Sequence, residues 1–170
     1  MNNNVTVIGG GLAGCEAALQ LADRGIAVTL VEMKPQKRSP AHKSDGLAEL
    51  VCSNSLKAER ISSAGGLLKA EMARLSSVCV ETAYKCSVPA GGALAVNRED
   101  FSNIITQKIH STQNIEVVHK EALEIPDGPC IIATGPLTSD GLSKAISEFF
   151  GTEHLSFYDA AAPIITGKSI

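Results

Sequence analysis

Val5-Thr6-Val7-Ile8-Gly9-Gly10-Gly11-Leu12-Ala13-Gly14 is the stretch that decides the fold. Its first four residues are apolar or β-branched and predict a buried strand. They run into Gly9-x-Gly11-x-x-Gly14, which opens a helix from Leu12 to about Arg24. Each glycine answers a separate demand. Gly9 permits the tight turn from strand to helix, Gly11 lets the backbone approach a pyrophosphate, and Gly14 lets helix and strand pack closely. The helix start at Leu12 and Ala13 offers free N–H groups and a partial positive charge to phosphates.

The context strengthens the motif. Gly25 is a helix stop, and Ile26 to Val31 predicts a second strand ending at Glu32. That carboxylate stands where an acceptor for a ribose 2′-hydroxyl belongs. Strand, helix, strand and acid in register predict an α/β fold with a Rossmann-like dinucleotide site that includes Gly9, Gly10, Gly11, Leu12, Ala13, Gly14 and Glu32. A carboxylate at that place repels a 2′-phosphate, so FAD or NAD is favoured there over NADP.

Composition agrees with a packed domain: 44% hydrophobic and 19% charged residues exclude a disordered chain. No apolar run approaches the roughly 20 residues that span a bilayer, and Met1-Asn2-Asn3-Asn4 has neither region of a signal peptide. The expected location is therefore cytoplasmic. Cys15, Cys52, Cys79, Cys86 and Cys130 form no C-x-x-C pair, which argues for reduced thiols and against structural zinc. His110, His119 and His154 have no metal-ligand spacing and read as surface residues, so no metal is expected. A net charge of −3 predicts no general attraction to nucleic acid, and any RNA contact must be local.

Further along, Met33 to Ser44 carries Lys34, Lys37, Arg38, His42 and Lys43 with no acid, either as a solvated loop or as one facing phosphates. Ala48 to Leu56 has no clear period, and Ser53-Asn54-Ser55 reads as a turn. Cys52 in that segment is either a buried structural cysteine or a nucleophile near a helix start. Leu68, Met72, Leu75 and Cys79 predict one apolar face of a single helix. Val88 to Val96 is small and uncharged, suited either to lying against a flat ring or to a tight packing crossing. Asn97 caps a helix that buries Phe101, Ile104, Ile105 and Ile109. Ile115 to Val118 and Ala122 to Ile125 predict short strands. Cys130 to Ile132 predicts a buried strand ending in Ala133-Thr134-Gly135, and Ser139 caps a last helix burying Leu142, Ile146 and Phe149. The tail from Tyr158 to Ile170 alternates apolar and polar residues without a closing cap, as if the chain were incomplete.

A glycine fingerprint followed about a hundred residues later by a strand ending Ala-Thr-Gly resembles the two-dinucleotide-binding-domain flavoproteins. Longer stretches are similar to the N-terminal part of the folate- and FAD-dependent tRNA (uracil-54-C5)-methyltransferase family: residues 9–18, Glu32 to Pro35, Ala48 to Leu56, Val88 to Arg98, Ala133 to Ser139, and Tyr158 to Pro163. The resemblance covers nearly all 170 residues. It implies that residues 1–170 are part of an FAD-binding domain, with the glycine-rich βαβ unit at 5–32, the returning strand and turn at 130–135, and a C-terminal remainder absent.

It also implies an enzyme that carries a one-carbon unit from methylenetetrahydrofolate to C5 of a uridine in the tRNA T-loop, using FAD reduced by NAD(P)H. Thr134 and Gly135 would lie against the FAD, and Gly91, Gly92, Ala93, Leu94 and Ala95 would border its flavin ring. Cys52 becomes a candidate catalytic thiol, since uracil C5 is a poor nucleophile until a group adds at C6. A cysteine in a downstream segment is the other candidate. The chain departs from the family pattern at Lys34 (usually arginine), Ala70 (usually glutamate) and Asn97 (usually aspartate). Two alternatives stand beside this reading: an FAD-dependent tRNA wobble-uridine modification protein, and a truncated dinucleotide-binding module without catalysis.

Overall fold

The computed structural model describes residues 4–151. In chain order its elements are β1 (Asn4–Ile8), α1 (Leu12–Asp23), β2 (Ala27–Glu32), β3 (Ser55–Ala58), α2 (Ala64–Arg74), α3 (Val78–Lys85), β4 (Ser87–Val88), β5 (Ala93–Val96), α4 (Arg98–Ser111), β6 (Ile115–His119), β7 (Cys130–Ile132) and α5 (Asp140–Phe150), with a 3-10 turn at Gly135–Leu137 before α5.

Two sheets result. The first is parallel throughout, in the order β6-β2-β1-β7, with Thr6 level with both Thr29 and Cys130. Parallel neighbours cannot be joined by a hairpin, so α1 is the crossover that returns the chain from β1 to β2. The order reverses between β1 and β7, and a parallel α/β sheet opens a crevice at such a point. The second sheet is small and antiparallel, in the order β3-β5-β4.

The core lies on the α1 side of the parallel sheet. Val7 and Leu30 are fully buried there against Cys15, Ala18 and Leu19 of α1. Phe101, Ile105 and Ile109 form the buried stripe of α4, as their spacing predicts, and Ile104 at its margin is half-buried. Asn97 caps that helix as expected, its Oδ1 accepting from the N–H groups of Glu99 (3.1 Å) and Asp100 (3.3 Å).

Four local expectations are corrected. The single helix through Leu68 and Cys79 is two helices, broken at Leu75–Ser77; Leu68 and Leu75 are exposed and Met72 is half-buried. Residues 122–125 form no strand, having no ladder partner among the described residues. β7 is not buried: at the edge of the sheet among the described residues, it leaves Ile131 and Ile132 more than a third exposed. α5 is capped by Ser139, whose Oγ accepts from Leu142 N–H (3.4 Å), but only Leu142 is buried and Phe149 is exposed. The tail from Tyr158 to Ile170, and His154, lie outside the described residues.

The helix break has a cause in α1. Glu16 reaches across to the start of α3, where Oε2 accepts from Ser77 Oγ (2.9 Å) and Cys79 N–H (2.8 Å) and Oε1 from Val78 N–H (3.2 Å). A carboxylate at a helix N-terminus satisfies orphan donors and complements the dipole. Burial works against the charge of Glu16, yet the hydrogen bonds from Cys79, Gln20 and Ser77 outweigh it and hold the carboxyl below its ordinary value. Stability from this cap is therefore present above the ordinary carboxylate value near 4.5 and is lost as pH falls through the lower folded value. Replacement Glu16→Gln should cost about 1–2 kcal/mol at neutral pH. Urea unfolding of the two proteins should differ at pH 7 and converge on acidification below pH 4.5.

Candidate functional site

The carboxyl ends of β1, β2 and β7 and the start of α1 enclose a cavity of about 240 Å³ at the reversal of strand order. Gly9, Gly10, Gly11, Leu12 and Ala13 form its floor, Glu32 one side, and Thr134 and Gly135 the other.

The glycines do different work. Gly9 has φ +104°, and a Cβ there would lie 2.7 Å from the Ala133 carbonyl oxygen. A Cβ on Gly14 would lie 1.8 Å from the carbonyl oxygen of Gly9, so α1 could not sit so close to the end of β1. Gly11 is unlike both. It lines the cavity, and a Cβ on it would meet no protein atom within 4 Å. Space, and not backbone strain, is what glycine leaves at that position.

Gly11 also caps α1 without any side-chain hydrogen bond. The first bond of the helix runs from Cys15 N–H to Gly11 O (2.9 Å), so the N–H groups before it have no partner within the helix. These donors and the positive end of the helix dipole stand at the cavity floor.

Glu32 is buried at the end of β2. Its Oε2 accepts from Gly10 N–H (2.7 Å) and its Oε1 from Lys34 N–H (2.9 Å). The carboxylate thus braces the glycine loop, and each oxygen keeps a lone pair with which to accept a ligand hydroxyl. On the far wall, Thr134 Oγ1 shares a 2.6 Å hydrogen bond with Thr138 Oγ1, which holds the turn after β7.

Three cations of the basic loop are paired. Lys34 is 2% exposed and donates to Gly46 O (2.6 Å) and Glu49 Oε2 (3.2 Å). Lys37 pairs with Glu121 (2.8 Å) and Arg38 with Asp45. The acids that pair them lie outside the cationic run, and Lys43 is exposed with no ion pair among the described residues. Burial disfavours the Glu49 carboxylate, but the bonds from Lys43 N–H and the Lys34 ammonium outweigh that and lower its pKa. His42, Glu49 and Val51 line the cavity from this loop, and burial together with the nearby Lys34 charge lowers the His42 pKa. No periodic signal places these three residues at the cavity, because their placement depends on how an irregular loop folds back.

Two expectations separate from the cavity. Gly91, Gly92, Ala93, Leu94 and Ala95 are not among its lining residues. The exposed Gly91 and Gly92 make the turn into β5, Ala93 is half-buried, and Leu94 and Ala95 are buried where β5 runs between β3 and β4. Cys52 is exposed, which corrects its reading as a buried structural cysteine, and its loop leads into strand β3 and not into a helix. It lies one residue beyond the lining residue Val51. The buried thiols differ: burial pushes Cys15 up to about 12, and burial with the Glu16 charge raises Cys79 too. His119 is half-buried and its Nδ1 contacts the Lys34 carbonyl, so it is not a free surface histidine.

A parallel sheet in this order, a glycine turn with an open third-position helix floor and a buried acid at the second strand's end define a dinucleotide-binding α/β domain of the Rossmann kind. Residues 4–170 match the family described as Glucose inhibited division protein A, and the chain belongs to that family.

The methylenetetrahydrofolate–tRNA-(uracil-5-)-methyltransferase TrmFO of Ligilactobacillus salivarius is 55% identical over 170 residues, which cover 100% of this chain and 39% of that protein. The protein of the same name from Bacillus licheniformis is 56% identical over the same shares. That from Anoxybacillus flavithermus is 58% identical over 166 residues, 98% of this chain and 38% of the relative. The chain therefore spans about two fifths of the length of these relatives. Among solved structures, p-nitrophenol 4-monooxygenase PnpA from Pseudomonas putida DLL-E4 is 17% identical with a TM-score of 0.48, over 73% of this chain and 33% of that one.

The geometry separates the roles of two glycines. Gly11→Val should keep the chain folded and cost no more than about 1 kcal/mol, the penalty of a branched residue at the helix N-cap. Gly14→Val should lower the melting temperature sharply or prevent folding, because backbone blocks the new side chain. Thermal melts followed by circular dichroism read both.

Proposed function

We propose that the cavity holds the ADP half of FAD, and that the chain is the cofactor-binding portion of a folate-dependent tRNA (uracil-54-C5)-methyltransferase. The observation that carries the reading is the open floor at Gly11, with helix N–H groups that have no partner among the described residues beneath it and the Glu32 carboxylate at its side. A diphosphate fits the first feature and vicinal ribose hydroxyls the second. The names of relatives 55–58% identical over this chain support the choice of reaction.

In this reading Gly9, Gly10, Gly11, Leu12 and Ala13 surround the diphosphate, Gly14 keeps α1 close enough to do so, and Glu32 accepts from the ribose. Thr134 and Gly135 close the other side, and the exposed Gly91–Gly92 turn is the accessible part of the strip assigned to the flavin ring. Bound FAD, reduced by NAD(P)H, would supply the electrons that convert the folate's methylene unit into a methyl group. Cys52 acts on the tRNA. Its thiolate forms a bond to uracil C6, and the ring's electron pair moves to C5, which bonds to the folate's methylene carbon as that carbon's bond to one folate nitrogen breaks. Loss of the C5 proton expels tetrahydrofolate at the second nitrogen and leaves a methylene group on C5; a hydride equivalent, which the reduced cofactor would supply, completes the methyl group as the S–C6 bond breaks and the thiolate returns. The tRNA T-loop and methylenetetrahydrofolate are the partners, and the cytoplasm is where both are met. No described helix is long and apolar enough to cross a membrane.

Titration of FAD into the purified chain tests the cofactor site. Wild type should quench flavin fluorescence saturably, and Gly11→Val should weaken binding at least about 100-fold while staying folded, since its side chain occupies the diphosphate's place. A wild-type chain that leaves flavin fluorescence unquenched would refute the assignment. For the reaction, the full-length protein with reduced FAD and methylenetetrahydrofolate should form 5-methyluridine in tRNA. Modification mapped to the anticodon would instead favour a wobble-uridine enzyme.

A further inference from the structure

We infer that Arg98 is a positioning residue for Cys52, an inference that rests on the reading of Cys52 as the attacking thiol. From Cys52 to Asn54 the loop is bonded to one short segment of the chain, the junction between β5 and α4. Arg98 Nη2 donates to the Cys52 carbonyl oxygen at 3.3 Å. Two residues on, Asn54 and Val96 bond reciprocally: Val96 N–H donates to Asn54 O (3.0 Å) and Asn54 Nδ2 to Val96 O (3.1 Å). The junction is itself rigid. Asn97 N–H donates to Cys86 O (2.9 Å) while its side chain caps α4.

On the other side of Cys52, Val51 lines the cavity. The exposed thiol is thus set between a residue of the cofactor crevice and a clamp of three hydrogen bonds. Asn54 fixes the loop from one end; Arg98 alone among these contacts reaches Cys52 itself. Its guanidinium takes part in no ion pair among the described residues, although Glu99 and Asp100 follow it in sequence. An exposed arginine bonded to a carbonyl adds little to stability. Its effect falls on where the Cys52 backbone, and with it the sulfur, is held. Addition of a thiolate to C6 needs the sulfur over one face of the ring, so placement enters the rate directly.

The test uses the full-length protein and a label. A nitroxide on Cys52, with every other exposed cysteine of the full-length protein replaced by serine, should give an ordered spectrum that becomes mobile in Arg98→Ala and recovers in part in Arg98→Lys, at unchanged melting temperature. In the unlabelled enzyme Arg98→Ala should lower kcat for tRNA methylation about 10- to 100-fold with KM for tRNA unchanged, and Arg98→Lys should restore part of the loss. An equally ordered label or an unchanged kcat overturns the assignment. A raised KM at constant kcat overturns it too and makes Arg98 a phosphate contact. Cys52→Ser separates the two levels: full activity in that variant removes the nucleophile, whereas its inactivity beside an unaffected Arg98→Ala removes only the role given to Arg98.

Discussion

The distance between the first helix and the end of the first strand governs the rest of the molecule. With a hydrogen in place of Cβ at Gly14, α1 rests against the Gly9 carbonyl, at a separation no side chain would allow. That contact points the first turn of the helix into the cleft where the strand order reverses. The unpartnered N–H groups are consequently aimed at a cavity and not at a neighbouring element. Glu32 completes the arrangement from β2 by accepting from Gly10 N–H, so one buried carboxylate both stiffens the turn and lines the cavity.

Around this turn the charges are arranged to hold backbone in place. Lys34 is buried against Glu49, and Glu49 in turn accepts from the N–H groups of Lys43 and Ser44, which folds the 42–49 loop over the crevice. Leu47 from that loop packs on Gly10, where an added Cβ would meet it at 2.5 Å. A buried ion pair of this kind is a weak source of net stability but a strong constraint on geometry, since separating its members strands a charge. Glu16 does the same for a different region by fixing the start of α3. Both are acids that meet partners distant in sequence.

The second sheet has a related task. Its middle strand, β5, carries the small residues of the 88–96 stretch, and their size lets β5 lie buried between its neighbours. The same strand ends at the junction that holds the Cys52 loop. A stretch whose composition suits contact with a flat ring is thereby also a packing crossing, and its two exposed glycines are confined to one turn.

Local sequence determined the βαβ unit, the cap at Asn97 and the stripe of α4, because these rest on interactions within a few residues: backbone conformation at glycine, N–H groups met by a neighbouring side chain, and one-face periodicity. It also pointed to Gly9 to Ala13, Glu32 and the Thr134–Gly135 turn, which line one cavity, and to Gly14, which packs behind it against Gly9. Tertiary structure alone decided the rest. The break between α2 and α3 follows from Glu16, an acid 61 positions before its Ser77 partner. The pairing of Lys34, Lys37 and Arg38 follows from Glu49, Glu121 and Asp45 outside the loop. His42 and Val51 reach the cavity through a loop without period, and Ile131 is open because β7 has one ladder neighbour among the described residues. In each case the outcome depends on how separate stretches of chain fold back on one another, and no local period records that.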